Sequence, residues 1–106
     1  MVSSWFTLGV CGVDSGQLLF IDPCYLDEWV NNEYDGKEGK GVKPPLSYNA
    51  ACHASLGDFQ LKNAYGRGVP VAVCVPSGWG DGVYPVEARK DKDGRIKEVR
   101  IVFIKD

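Results

Sequence analysis

Cys24 and His53 are the residues whose side chains could support nucleophilic chemistry. Cys24 follows Asp22 and Pro23, a pair typical of a helix start with aspartate as N-cap and proline in the first helical position. The free N–H groups of such a start favour a lowered pKa for the Cys24 thiol, although the Asp22 carboxylate opposes that effect. His53 is the only histidine, so a thiol–imidazole mechanism has to use it. Both residues also fit a structural interpretation, with Cys24 packed as a small apolar side chain and His53 on the surface.

A glycine-rich segment, residues 76–82, could bind a ligand by another route. Its three glycines within five residues let the backbone adopt positive φ and turn N–H groups toward a ligand. Trp79 would stack on that ligand and Asp81 would orient it. The predicted ligand-binding residues are Asp22, Trp79, Gly80, Asp81, Gly82 and Tyr84. A plain structural turn, in which Asp81 caps its own backbone and Trp79 covers the end of a barrel, fits the segment equally well.

The sequence predicts no metal or cofactor. Residues 91–94, Asp-Lys-Asp-Gly, lack the third acidic ligand and the closing glutamate of a calcium loop. Zinc binding by Cys24, Cys52 and His53 is disfavoured, because neighbours in a strand point to opposite faces and residues 48–56 alternate as a strand would.

Short apolar runs with a period of two, separated by turn residues, favour an antiparallel all-β fold. Strands are predicted over residues 5–13, 17–21, 48–56, 69–75, 83–90 and 95–104. The first two are expected to form a hairpin through residues 14–16, and the last two a hairpin through residues 91–94. A shift in the apolar phase between Ile96 and Val99 indicates a bulge in the final strand. The valine-rich run at 69–75 is expected to be buried on both faces.

One short helix is predicted over residues 23–31, where apolar side chains recur at helical spacing and two asparagines suit the C-terminal end. Residues 32–45 are rich in Gly, Lys, Glu and Pro and are expected to form a flexible loop. With 106 residues in all, the chain is expected to be a single β-rich domain: a small antiparallel barrel or sandwich of about six strands with one short helix.

Composition excludes several classes of function. A net charge of −2 and a pI near 5.3 argue against nucleic-acid binding through overall basic charge. The seven bases and three acids of residues 89–105 fit either a solvated charged surface or a strip that docks an acidic partner or nucleic acid. No apolar run approaches the roughly 20 residues of a membrane span. Residues 1–13 lack the features of a secretory signal, so the sequence predicts a cytoplasmic protein with four free thiols.

Two motifs carry a resemblance to a known family. Residues 22–25 read D-P-C-Y and residues 80–86 read G-D-G-V-Y-P-V. From about residue 13 to its end, the chain resembles a family of small uncharacterised bacterial and phage proteins that contain these two motifs. The resemblance implies a compact β-rich domain and brings no catalytic residues with it.

Three functions follow as hypotheses. The first is a small non-catalytic binding or regulatory module that recognises a protein or a small ligand at the glycine-rich rim. The alternative is a thiol-dependent hydrolase or transferase, with Cys24 as nucleophile, His53 as base and the amides of residues 80–82 as oxyanion donors. The third is a phage accessory protein that acts on a host protein. The sequence leaves the oligomeric state open.

Overall fold

A computed structural model of the chain describes residues 4–30, 44–63 and 68–105. The elements, in order, are β1 (Phe6–Val13), β2 (Gln17–Ile21), a 3₁₀ helix (Pro23–Glu28), α1 (Tyr48–Ser55), β3 (Gln60–Lys62), β4 (Pro70–Pro76), β5 (Gly82–Lys90) and β6 (Ile96–Ile101). The strands form two antiparallel sheets, ordered β1-β5-β6 and β2-β4-β3. The expected strand-rich antiparallel fold with a short helix is confirmed, and the described strands form two open sheets in place of one closed barrel.

The chain divides into two compact units. One consists of Met1–Gly16 with Ser77–Asp106, and contains the sheet β1-β5-β6. The other is Gln17–Pro76, and contains the sheet β2-β4-β3 with both helices. The single domain expected from the sequence stays a prediction. Apart from its two final prolines, the predicted flexible loop at 32–45 lies outside the described residues.

The hairpin of β5 and β6 is confirmed. Its turn is held by Asp91, whose carboxylate accepts hydrogen bonds from the backbone N–H groups of Arg95 and Asp93. These bonds, that of Arg95 foremost, hold the pKa of Asp91 below its ordinary value. The predicted bulge is also present, since the register shifts between Arg89 and Lys90 in their pairing with β6.

Acidic partners neutralise part of the basic strip. Arg89 forms an ion pair with Glu98, and Arg100 with Glu87, across the β5–β6 pairing. Both guanidinium groups also lie over the Trp5 ring, 4.9 Å from its centroid for Arg89 and 3.9 Å for Arg100. These contacts favour the interpretation of the strip as an ordinary charged surface, on which each ion pair contributes about 0–1 kcal/mol.

The predicted hairpin of residues 5–13 with 17–21 is wrong. β1 pairs with β5, and β2 pairs with β4, so the two strands belong to different sheets. Both strand positions are nevertheless as expected. The turn residues 14–16 include Gly16 with φ of +71°, and a positive-φ glycine suits a connection between sheets as well as a hairpin.

The strand expected at 48–56 is wrong as well, because these residues form the helix α1. Ser47 caps it: its hydroxyl accepts a hydrogen bond from the N–H of Ala50 at 3.1 Å. The alanines have high helix propensity, and Ala51, Ala54 and Ser55 are buried at the i, i+3, i+4 spacing of one helix face. Cys52 and His53 therefore do not point in opposite directions, as they would on a strand.

The helix predicted over 23–31 is a 3₁₀ helix that ends at Glu28. Its N-cap is confirmed, since the Asp22 carboxylate accepts from the N–H of Cys24 at 3.0 Å. The backbone is extended again at Trp29, and the N–H of Val30 donates to the carbonyl of Leu46 at 3.0 Å. This tertiary hydrogen bond takes the place of a further helical turn. The predicted C-terminal asparagines lie outside the described residues.

The core of the unit Gln17–Pro76 lies between α1 and the sheet. It consists of Leu46, Ala51, Ala54, Leu61, Ala72 and Cys74. β4 buries one face through Ala72 and Cys74, whereas Val69 before it and Val73 within it are exposed, so burial on both faces is not observed. The side-chain amide of Gln17 contacts the sulfurs of Cys52 at 3.2 Å and Cys74 at 3.6 Å. No helix in the described part of the chain is long and apolar enough to cross a membrane.

Candidate functional site

The glycine-rich segment between β4 and β5 is closed by hydrogen bonds to one carbonyl. The carbonyl oxygen of Gly80 accepts from the hydroxyl of Ser77 at 2.6 Å and from the hydroxyl of Tyr84 at 2.8 Å. Ser77 and Tyr84 are both buried, so these hydroxyls hold the segment from inside the unit. The Tyr84 hydroxyl, which was expected at a binding rim, is thus used within the loop itself.

Close packing fixes the start of the same segment. Gly78 has φ of +67°, and an added Cβ would lie 3.0 Å from Phe103 and 3.1 Å from Ile104. The Phe103 ring packs edge-on against Tyr84, with centroids 5.1 Å apart. Glycine is strongly favoured at position 78, because the backbone angle strains any other residue and a Cβ would force Phe103 and Ile104 to move by a few tenths of an ångström. The segment therefore has a defined shape before any ligand binds.

This braced segment presents Trp79 to solvent. The side chain is 75% exposed, and Asp81 and Gly82 beside it are exposed too. Trp79 therefore does not have the covering role that the structural interpretation gave it. The N–H of Gly80 lies 3.5 Å from the Ser77 carbonyl, so that amide is directed into the turn. The segment can therefore contact another molecule through an indole ring, with an exposed carboxylate two residues further along the chain.

Cys24 is exposed on the first turn of the 3₁₀ helix. Partial shielding from water raises the pKa of its thiol, and Asp22 raises that pKa further by hydrogen bonding and charge. This upward shift of the Cys24 pKa is opposite to the lowering that a helix start usually produces. The six-residue 3₁₀ helix offers only a weak dipole, and the Asp22 carboxylate is close to the thiol. At neutral pH such a thiol is mostly protonated and therefore a poor nucleophile.

His53 lies on α1, exposed, at the edge of a cleft of about 430 Å³. Cys24 is not among the residues that line this cleft, and within the described residues no hydrogen bond connects it to His53. The amides expected as oxyanion donors lie in the other compact unit. Catalysis by Cys24 and His53 therefore stays a prediction.

The reactivity of Cys24 can be measured directly. We expect its alkylation by iodoacetamide to rise with pH, with a midpoint above that of an unperturbed cysteine, because the thiolate forms only above the raised pKa. In the variant Asp22→Asn, one negative charge is absent and the midpoint should fall. Mass spectrometry of the Cys24 peptide at a series of pH values gives both midpoints. A midpoint below that of free cysteine would support the thiol enzyme instead.

Sequence reasoning missed two sets of residues near these sites. Ser77 was overlooked because only the fold brings its hydroxyl to the Gly80 carbonyl, although a serine within a Pro-Ser-Gly turn is a recognisable signal. Asp58 and Lys62, which line the cleft with His53, were missed because residues 48–56 were assigned to a strand. No group of three or more potential metal ligands occurs among the residues described.

Comparison with known proteins places the chain in a family. No curated protein and no solved structure matches it. A family model described as "Protein of unknown function (DUF4241)" matches residues 6–101. That match spans all six strands, from the start of β1 to the end of β6, and includes the Trp79 segment and the cleft. The chain therefore belongs to the DUF4241 family.

Proposed function

We propose that this chain is a non-catalytic binding module that docks a partner protein through Trp79. The observation that carries the proposal is the exposure of Trp79, 75%, on a loop whose shape is fixed. Exposing a large indole ring to water is unfavourable. A fixed loop that holds the ring in solvent keeps it ready to enter a pocket on a partner, where its apolar surface would leave water.

The shape of the site favours a protein over a small molecule. A small ligand is normally enclosed by a pocket, whereas Trp79 projects from a turn and has to enter a pocket on its partner. Tryptophan is among the residues that contribute most to protein interfaces. Because the loop is braced by Ser77 and Tyr84, little conformational entropy is lost on binding. The exposed Asp81 carboxylate, two residues after Trp79 in the chain, favours a partner pocket that has a basic residue at its edge.

The cellular setting we propose is the bacterial cytoplasm, with the chain acting as an accessory or regulatory protein, phage-borne in some cases, on a host protein. Its support is the set of four free cysteines, among them the exposed Cys24, which suits a reducing compartment. A small protein with an exposed anchor residue is well suited to such a role.

Partner capture tests the role of Trp79. With the immobilised full chain as bait in a bacterial lysate, we expect one stoichiometric partner whose affinity falls at least about tenfold in Trp79→Ala, since anchor tryptophans contribute roughly 2 kcal/mol or more. Leu56→Ala is the matched control, because Leu56 is also a large exposed side chain, 85% exposed, in the other unit. Affinity is then measured calorimetrically with the purified partner.

Three results would contradict the proposal. They are the absence of any stoichiometric partner, a partner that binds Trp79→Ala as tightly as the native chain, and a partner lost equally in Leu56→Ala. The emission of Trp79 offers a second readout. On binding it should shift to shorter wavelength, because the ring leaves water, and this shift should be absent in Trp79→Ala.

A further inference from the structure

A second site lies in the unit Gln17–Pro76, on the cleft between α1 and β3. Its volume is about 430 Å³, within the range of roughly 300–1,000 Å³ typical of small-molecule sites. The floor is apolar and includes the buried side chains of Ala54 and Leu61. The rim is polar and exposed, with His53 from α1, Asp58 from the following turn and Lys62 from β3.

The rim carries one charge of each sign. Within the described part of the chain, neither Asp58 nor Lys62 forms an ion pair or a side-chain hydrogen bond. A purely anionic ligand would be attracted by Lys62 and repelled by Asp58. A purely cationic ligand would be attracted by Asp58 and repelled by Lys62. A ligand that carries both charges satisfies both residues.

We infer that the cleft binds a short peptide with free ends, its ammonium group toward Asp58 and its carboxylate toward Lys62. Four steps of chain limit the separation of the Asp58 and Lys62 Cα atoms to about 14 Å. Residues 56–58 form a turn and Phe59 has φ of +70°, so the chain between them is not fully extended and the ligand that joins the two charges is short. An apolar central side chain would lie on Ala54 and Leu61, and His53 offers a hydrogen-bonding ring to the peptide backbone.

The probe for this site is the tripeptide Ala-Leu-Ala, used in three forms: with free ends, N-acetylated, and C-amidated. Each is titrated into the ¹⁵N-labelled full chain, and amide chemical shifts are followed by NMR. We expect the free peptide to shift the amides of α1 and β3. Blocking either end should weaken binding about two- to fivefold, the effect of one exposed ion pair.

Two variants assign each end of the peptide to its residue. Asp58→Asn should bind the free and N-acetylated forms equally, because it has lost the partner of the ammonium group. Lys62→Gln should bind the free and C-amidated forms equally, for the corresponding reason. The matched controls Asp27→Asn and Lys92→Gln change exposed charges that do not line the cleft, and should retain the preference of the native chain.

The inference is overturned if the free peptide causes no shifts at millimolar concentration, or if its shifts lie outside α1 and β3. It is also overturned if the native chain binds all three forms equally, or if the two cleft variants keep the native preference. These outcomes are independent of the Trp79 proposal, because they concern residues of the other compact unit.

Discussion

Replacing Leu46 with alanine should lower the free energy of unfolding by about 2–5 kcal/mol, the usual loss for a leucine removed from a core. Leu46 is completely buried, with 0% of its surface exposed. Its neighbours in the core are mostly small: Ala51, Ala54, Ala72 and Cys74. These small side chains cannot collapse into the space that a leucine leaves, and the larger ones that pack against the cluster, among them Leu19, Ile21 and Trp29, are only partly buried. Against a typical total of about 5–15 kcal/mol, the loss is a large share.

Urea unfolding followed by circular dichroism measures this effect, with Leu56→Ala as the matched control. The same substitution at Leu56, 85% exposed, should change stability by less than about 0.5 kcal/mol. The hydrogen bond from Val30 to the backbone carbonyl of Leu46 is available in both variants, so the comparison isolates the side chain. A loss below about 1 kcal/mol for Leu46→Ala would mean that this core contributes little to stability.

The parts of the fold that were predicted correctly are those that short stretches of sequence determine. The β5–β6 hairpin follows from a turn in which the Asp91 carboxylate binds the N–H groups of Asp93 and Arg95, a contact that lies within residues 91–95. The cap at Asp22 is equally local, since its carboxylate binds the N–H of Cys24. Neither feature depends on the rest of the chain.

The errors concern features that distant residues decide. Residues 48–56 alternate in polarity, but the cap at Ser47 and packing of the alanine face on β4 make a helix there. The short strand β3 lacks a pattern of its own and exists because it pairs with β4. β1 was placed correctly and paired wrongly, because its partner β5 is distant in the chain, from Val13 with Gly82 to Phe6 with Ala88, and the local sequence does not show which distant strand it pairs with.

The candidate sites show the same contrast between features that a short stretch of sequence determines and features that depend on distant residues. Trp79 and its glycines stood out in the sequence because indole and glycine are conspicuous in a short turn. Their bracing was not visible, since the packing of Phe103 against Gly78 joins residues far apart in the chain. The cleft could not be found while His53 was placed on a strand, because Asp58 and Lys62 face it only when residues 48–55 are helical.

Replacing Gly78 with alanine should both destabilise the unit that contains it and misplace Trp79. At φ of +67° an alanine costs about 1–2 kcal/mol. Its Cβ would also lie 3.0 Å from the Cβ of Phe103 and 3.1 Å from Ile104, an overpacking that adds about 1–3 kcal/mol. The Phe103 contact is with the base of the side chain, so rotation of the ring does not relieve it. We therefore expect a total loss of about 2–5 kcal/mol, the sum of these two costs.

Gly16→Ala separates the two costs. Gly16 has nearly the same backbone angle, φ of +71°, but its added Cβ would meet its nearest neighbour, Gly80, at an ordinary 3.9 Å. This variant should show the backbone cost alone, so Gly78→Ala should exceed it by about 1–3 kcal/mol in urea unfolding. Equal losses would show that the packing of Phe103 and Ile104 is not what fixes the loop. If that packing does hold Trp79 in place, partner affinity should fall in Gly78→Ala while Trp79 itself is still present, and Gly16→Ala should bind as the native chain does.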